Sequence, residues 1–386
     1  MLENLDRVPW HRLTHAYGKA NDVPALIKAL ASPQRETWEQ ALNELYQIIW
    51  HQYTVYQATS FAVPFFIELL QHEVTQCRAE LLLFLSDLAI GCSDDKKWTK
   101  HTQDAVAQGF AVYLQLLKDV NPKVRMQVPY IIGTLRTIGA LEEYTQTIFS
   151  LFHTFLRQEK DPQVQASLLM YLGYQAELPV DERLFMNLAY AEDVYPLVKV
   201  VAAMRHVERT TISTPNDTVQ VLLDMLLRVD TLQKMYADLP WPHNHYSLLG
   251  EISFALRRLD FDYADRVIPV LIETLNSIDQ AYRKGKIAEE QDVATLNGEW
   301  MAYSVLPDFG TIELLQTLFH FTFQGKKLAK NAVPFLLTKV QRTVLITVLR
   351  SEAALEYRHH VVEMLESLNL PYYWKLRILL QLDSLT

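Results

Sequence analysis

Leu116-Leu117-Lys118-Asp119-Val120-Asn121-Pro122-Lys123-Val124-Arg125 is matched forty residues later, with no gap, by Leu156-Arg157-Gln158-Glu159-Lys160-Asp161-Pro162-Gln163-Val164-Gln165. In both stretches an Asn or Asp stands directly before a proline. Asn and Asp favour the N-cap, where a side-chain oxygen accepts a first-turn N–H. Proline at the next position loses little, because first-turn N–H groups have no intrahelical partner. Each stretch therefore reads as the end of one helix, a tight turn and the start of a second. A third copy, Pro196-Leu197-Val198-Lys199, follows 34 residues after Pro162. Gly133 and Gly173 fall at one offset from the first two prolines, where close approach of neighbouring helices favours a missing side chain.

A second phrase recurs at Val23-Pro24-Ala25-Leu26, Val63-Pro64-Phe65-Phe66, Ile268-Pro269-Val270-Leu271 and Val333-Pro334-Phe335-Leu336, each opening a helix-period apolar run. Its first two copies are also 40 residues apart. A period of that size, built from paired helices, is the signature of a stacked helical solenoid. The expected fold is all-α, a solenoid of antiparallel helix pairs. Residues 1–21 read as an N-terminal cap. Residues 22–300 read as about seven helix pairs, with insertions at 91–103, 231–244 and 279–298. Residues 301–386 read as irregular C-terminal repeats ending in a capping helix, Tyr373–Leu382. The first pairs are expected as Asp22–Leu30 with Thr37–Trp50, then Ser60–Leu70 with Gln76–Ala89.

The turns also resemble the HEAT-repeat (armadillo-like) family, whose pattern is a first helix, an Asp-Pro-x-Val-Arg turn and a second helix. Pro122–Arg125 and Pro162–Gln165 match it best, Pro196–Lys199 matches with a conservative change, and the resemblance covers roughly residues 22–275 well and 300–386 loosely. His15-Ala16-Tyr17-Gly18, Val23-Pro24, Leu337-Thr338-x-x-Gln341 and Leu370-Pro371 are similar to stretches of bacterial HEAT-repeat proteins of unassigned function. The resemblance implies a right-handed superhelix and a protein-binding scaffold. Position 165 departs from the pattern with Gln in place of Arg, so an Arg–Asp ladder along the stack would be interrupted there.

Composition narrows the classes. Hydrophobic residues make up 49% of 386, which excludes a disordered chain. Only 11 glycines and 16 prolines argue against a β-rich or loop-rich fold. The net charge is −9, acidic over residues 1–323 and basic over 324–386. An acidic body repels phosphate backbones, so a basic protein or peptide is the better partner and nucleic acid a poor one. Cys77 and Cys92 are the only cysteines, which points to a reducing, cytoplasmic setting rather than a disulfide framework. The first residues, MLENLDRVPWHRL, lack a signal peptide's apolar core, and no apolar run approaches a membrane span.

No catalytic residue, cofactor site or metal site is expected. Glycines are scattered singly, without a phosphate-binding loop. His11 and His15, His243 and His245, and His359 and His360 are close in sequence, yet no carboxylate or thiol pattern accompanies them. Candidate partner-binding residues come from two sources. Aromatic and histidine side chains between or within repeats are typical interface anchors: His51, Tyr53, Tyr56, Trp98, Tyr236, Trp241, His243 and His245. These side chains could equally fold back over the stack. Arg125, Gln165 and Lys199 occupy equivalent positions on second helices, with Arg136 further along; such a row could grip an extended partner or simply be solvated. Function then reads as a non-catalytic scaffold or adaptor, with an inhibitor or immunity-type protein masking a basic partner as its specific form. The alternatives, by likeness to other HEAT-like proteins, are a DNA glycosylase acting on alkylated bases and a bilin lyase.

Overall fold

The computed structural model describes residues 1–173, 182–210, 215–228, 231, 247–292, 310–328 and 337–370, with side chains of the helix ending at 292 described as far as 285. The chain divides into two compact units, Met1–Leu178 and Pro179–Thr386. The expected series of repeats over 22–300 has no boundary at that point.

The first unit opens with 3-10 turns at Leu5–Arg7 and Trp10–Arg12, then a minimal antiparallel hairpin of β1 (Thr14–His15) and β2 (Gly18–Lys19). Among its described residues nine α-helices follow: α1 (Val23–Ala29), α2 (Arg35–Ile49), α3 (Gln57–Leu70), α4 (Arg78–Ile90), α5 (Lys96–Ala107), α6 (Phe110–Leu116), α7 (Pro122–Thr137), α8 (Thr145–Gln158) and α9 (Pro162–Gly173). Helices α1, α3 and α5 pack in one row and α4, α7 and α9 in another, as paired stacking requires. Helix α2 buries Leu42, Leu45 and Ile49 and meets α4 through Tyr46 and Phe84, whose rings lie 4.3 Å apart.

The caps perform as the residue types demand. Asn121 Oδ1 accepts the Lys123 N–H at 3.0 Å, and Asp161 Oδ1 accepts those of Gln163 and Val164 at 2.9 and 3.1 Å. Asp22 departs from this rule. Its carboxylate receives His15 Nε2–H at 3.1 Å and leaves α1 without a side-chain cap. A Cβ at Gly133 would overlap the Tyr171 ring, which is why that position tolerates no side chain.

Several expected elements differ. Pro64 does not open its helix but is the eighth residue of α3. The start moves back because Thr59 Oγ1 accepts the Tyr56 N–H at 2.9 Å and donates to the Ile49 carbonyl at 2.7 Å. Pro269 likewise lies inside its helix. Much of the expected insertion at 91–103 is the helical run of α5, capped by Asp95. This run breaks at Gly109, whose N–H donates to the Val106 carbonyl at 3.0 Å, and Tyr113 donates its hydroxyl to the same oxygen at 2.8 Å. Cys77 stands just before α4 rather than inside it, buried, while Cys92 is exposed beyond its end.

The second unit contains α10 (Glu182–Tyr190), α11 (Pro196–Arg209), α12 (Asn216–Leu226), α13 (Leu248–Leu256), α14 (Ala264–Asp292), α15 (Gly310–Phe323), α16 (Lys339–Arg350), α17 (Glu352–Glu356) and α18 (Arg358–Ser367). Helices α10, α12 and α14 form one row, and α11, α13 and α15 the other. The polar stretch expected as an insertion at 279–298 is instead helical to Asp292, because Asp279–Asp292 contains only one glycine and no proline to stop it. Thr338 and Gln341 form a reciprocal capping box at the start of α16, with bonds of 3.2 and 3.0 Å. The 231–244 insertion and the capping helix 373–382 lie outside the described residues, apart from Thr231.

Candidate functional site

An open groove of about 900 Å³ runs along one flank of α2 and onto the turn that follows it. Glu36, Glu39 and Glu44 supply its acidic lining, and Tyr46, Trp50 and His51 its aromatic end; among the described residues no lysine or arginine lines it. Neighbouring Arg35 is engaged by Glu39, Nε to Oε1 at 2.7 Å.

The turn itself is shaped by two left-handed residues, Gln52 at φ 49° and Tyr53 at φ 64°. Non-glycine residues adopt that conformation at a cost of about 1–3 kcal/mol each, so surrounding contacts must hold them there. Those contacts come from the next repeat. Tyr53 C=O accepts the Cys92 N–H at 2.8 Å, and Val55 N–H donates to the Cys92 carbonyl at 2.7 Å. The segments after α2 and α4 therefore lie on one edge, and Tyr53 is held half exposed.

Around this turn the aromatic rings are contiguous. Trp50 packs on Tyr46 at 5.6 Å and on Tyr53 at 4.9 Å, and Tyr17 of the hairpin meets His51 at 5.4 Å. The centre of the cluster is Asp87, in the last turn of α4. Tyr46 donates its hydroxyl to Asp87 Oδ2 at 2.8 Å, and Trp50 Nε1–H donates to the Asp87 backbone carbonyl at 2.8 Å. Burial pushes the Asp87 carboxyl up to about 6, against the opposing pull of the Tyr46 hydrogen bond. Tyr130 of α7 completes the group: its phenol is raised first by burial, then by the charge of Asp87, then by Tyr53. Residues of three successive helix pairs thus converge on one carboxylate.

The other sequence-derived candidates are placed differently. Tyr56 is half-buried at the start of α3. Trp98 lies on a helix, not in a loop, half-buried against His101, with Lys97 Nζ 4.8 Å from its ring centre. Arg125, Gln165 and Lys199 do play equivalent roles, but toward their own chain. Arg125 Nη1–H donates to the Asp119 carbonyl at 2.8 Å, Gln165 Nε2–H to the Glu159 carbonyl at 2.7 Å, and Lys199 Nζ to the Glu192 carbonyl at 3.3 Å. Each ties off the turn that precedes its helix. Arg136 is buried within α7, where desolvation lowers its pKa. Tyr236, Trp241, His243 and His245 lie outside the described residues.

No protein-family model matches the chain, and no curated protein matches it significantly. Among solved structures, a crystal structure of importin beta in a polyethylene glycol condition is similar at 13% identity and a TM-score of 0.33. The match covers 89% of this chain and 51% of that one, so this chain spans about half its length. A likeness so loose bears on neither partner nor activity.

Sequence reasoning missed Asp87, Tyr46, Trp50 and Tyr130 as a group. Tyr46 and Trp50 flank the apolar stripe of α2 and read as its edge, and a lone Asp in Leu85-Ser86-Asp87-Leu88 reads as a solvated helix residue. It also missed a buried pair in the second unit, Arg205 and Glu251, with Nη2 and Oε2 3.6 Å apart. Glu251 stands in the first turn of α13, where an acid is ordinary. Among the described residues, no three His, Cys, Asp or Glu side chains converge as a metal site, and no helix is long and apolar enough to cross a membrane.

Proposed function

We propose that this chain is a non-catalytic binding module of the HEAT-like type, and that a basic segment of a partner protein lies in the groove along α2. Masking a basic toxin or enzyme is the specific form of that role the reading favours, with the cytoplasm as its setting. The observation that carries it is the groove's make-up: three glutamates, no lysine or arginine among the described lining residues, and the half-buried rings of Tyr46 and Trp50 beside a strained turn. Carboxylates steer a cationic chain into place, and aromatic side chains supply contact area at low conformational cost. The same charge repels a phosphate backbone, so the reading as a DNA glycosylase gains no support from this surface.

Defined peptides test the proposal. Fluorescence anisotropy with labelled hexa-arginine and hexa-glutamate should show binding of the basic peptide alone. The double variant Glu36→Gln/Glu44→Gln should weaken it by about fivefold, as removal of two partly screened charges predicts. Equal binding of the acidic peptide, or no effect of the double variant, would refute the assignment of the groove.

A further inference from the structure

Asp87 holds a charge that its own chain does not neutralise. Its Oδ2 is occupied by the Tyr46 hydroxyl, and among the described residues no lysine, arginine or histidine pairs with either oxygen. Two other carboxylates of this unit are each paired with an arginine. Asp119 is paired with Arg78, and Glu159 with Arg125 in a two-bond fork. A carboxylate left without a cation in low-dielectric surroundings is costly, and sites where such a cost persists are candidates for ligand binding.

The surroundings fit one kind of ligand group. Tyr46 and Trp50 meet nearly edge to face, with 85° between their planes, and Tyr53 tilts by 58° beside Trp50. Tyr130 of α7 is near enough for the charge of Asp87 to raise its phenol, and its ring meets Tyr171 at 5.9 Å. Aromatic faces attract a cation, and a guanidinium, being planar and weakly hydrated, stacks there better than an ammonium. We propose that Asp87, with Tyr46, Trp50, Tyr53 and Tyr130 around it, is the receptor for one arginine side chain of the basic partner. The guanidinium donates to Asp87 Oδ1 while its plane lies against the rings of Trp50 and Tyr53. This inference rests on the groove being the partner surface, and it adds the anchoring residue and the preference for arginine over lysine.

The test uses the full chain with hexa-arginine, hexa-lysine and hexa-citrulline peptides, comparing wild type with Asp87→Asn and Tyr53→Ala. The carboxamide introduced by Asp87→Asn still offers Tyr46 an acceptor, and Tyr53 is half exposed, so both variants should keep the wild-type helical circular dichroism. Hexa-arginine is expected to bind wild type at least threefold more tightly than hexa-lysine, with hexa-citrulline not binding. Asp87→Asn should lose tenfold or more for hexa-arginine, and Tyr53→Ala should erase the arginine preference. With aspartate carboxyls carbon-13 labelled, saturating hexa-arginine should lower the Asp87 titration midpoint by a unit or more. If Asp87→Asn binds hexa-arginine like wild type while Glu36→Gln/Glu44→Gln weakens it, the groove stands and the arginine receptor falls. If neither basic peptide binds wild type, both are overturned.

Discussion

Desolvation lifts Asp87 from an ordinary 3.8 to about 6, which gives it an effect on stability with a definite sign. The folded state binds the proton more tightly than the unfolded one. Unfolding free energy therefore falls as pH rises from about 4 to 6 and stays lower above that window. A shift of this size corresponds to roughly 3 kcal/mol at most, less for a side chain that is only half-buried. Asp87→Asn should accordingly raise the urea midpoint at pH 7 and flatten its decline between pH 4 and 6. An unchanged midpoint at pH 7 would mean that the carboxylate is well solvated. The Cys77 thiol is also pushed up, to about 12, chiefly by burial, and its Sγ lies 3.5 Å from the Leu30 carbonyl. That thiol is a packing group. Composition alone disclosed neither environment, because burial depends on neighbours a full repeat away in the chain.

Between elements, the recurrent turn carries an ion-pair ladder. Asp119 and Glu159 hold equivalent places before their N-caps, and each receives an arginine from the preceding pair: Arg78 at 2.5 Å and Arg125 at 2.8 Å. At residue 165, where a break in the ladder is expected, the Gln165 amide donates to the Glu159 carbonyl of its own turn and, among the described residues, pairs with no acid of the next one. The two rungs are not equal. Arg78 and Asp119 are both buried, so Asp119→Ala leaves an uncompensated guanidinium and should cost about 3–5 kcal/mol. Arg125 is more exposed and keeps the Asp119 and Val120 carbonyls, so Glu159→Ala should cost only about 1–2 kcal/mol. Thermal and urea denaturation would rank the two, and a reversed order would show that burial does not govern the rungs. The equivalence of Asp119 with Glu159 was legible in the aligned stretches. Which arginine reaches which acid was not, since that depends on the rise from one pair to the next.

Over the whole molecule, charge is the property that sequence and structure share. A chain of net −9 with an acid-lined groove should bind a cationic peptide through screened, long-range attraction. Raising ionic strength from about 0.05 to about 0.3 M should weaken hexa-arginine binding by roughly tenfold, and by clearly less in Asp87→Asn, which has one charge fewer to screen. Salt-independent binding would point to an apolar contact instead.

The sequence by itself determined the recurrent helix–turn–helix unit, its period and the caps at Asn121 and Asp161, because these depend on residues within one turn of each other. Asn121-Pro122 and Asp161-Pro162 start helices wherever they occur, and Gly133 announces a close approach before the approaching Tyr171 is known. Tertiary structure alone decided what each polar side chain is for. It turned Arg125, Gln165 and Lys199 inward onto their own turns, carried a helix through the stretch read as an insertion, and drew Tyr46, Trp50, Tyr53 and Tyr130 around Asp87. The reason is one of range. Capping and periodicity are local, whereas burial, charge pairing and the shape of a groove arise only when segments distant in the chain are brought together.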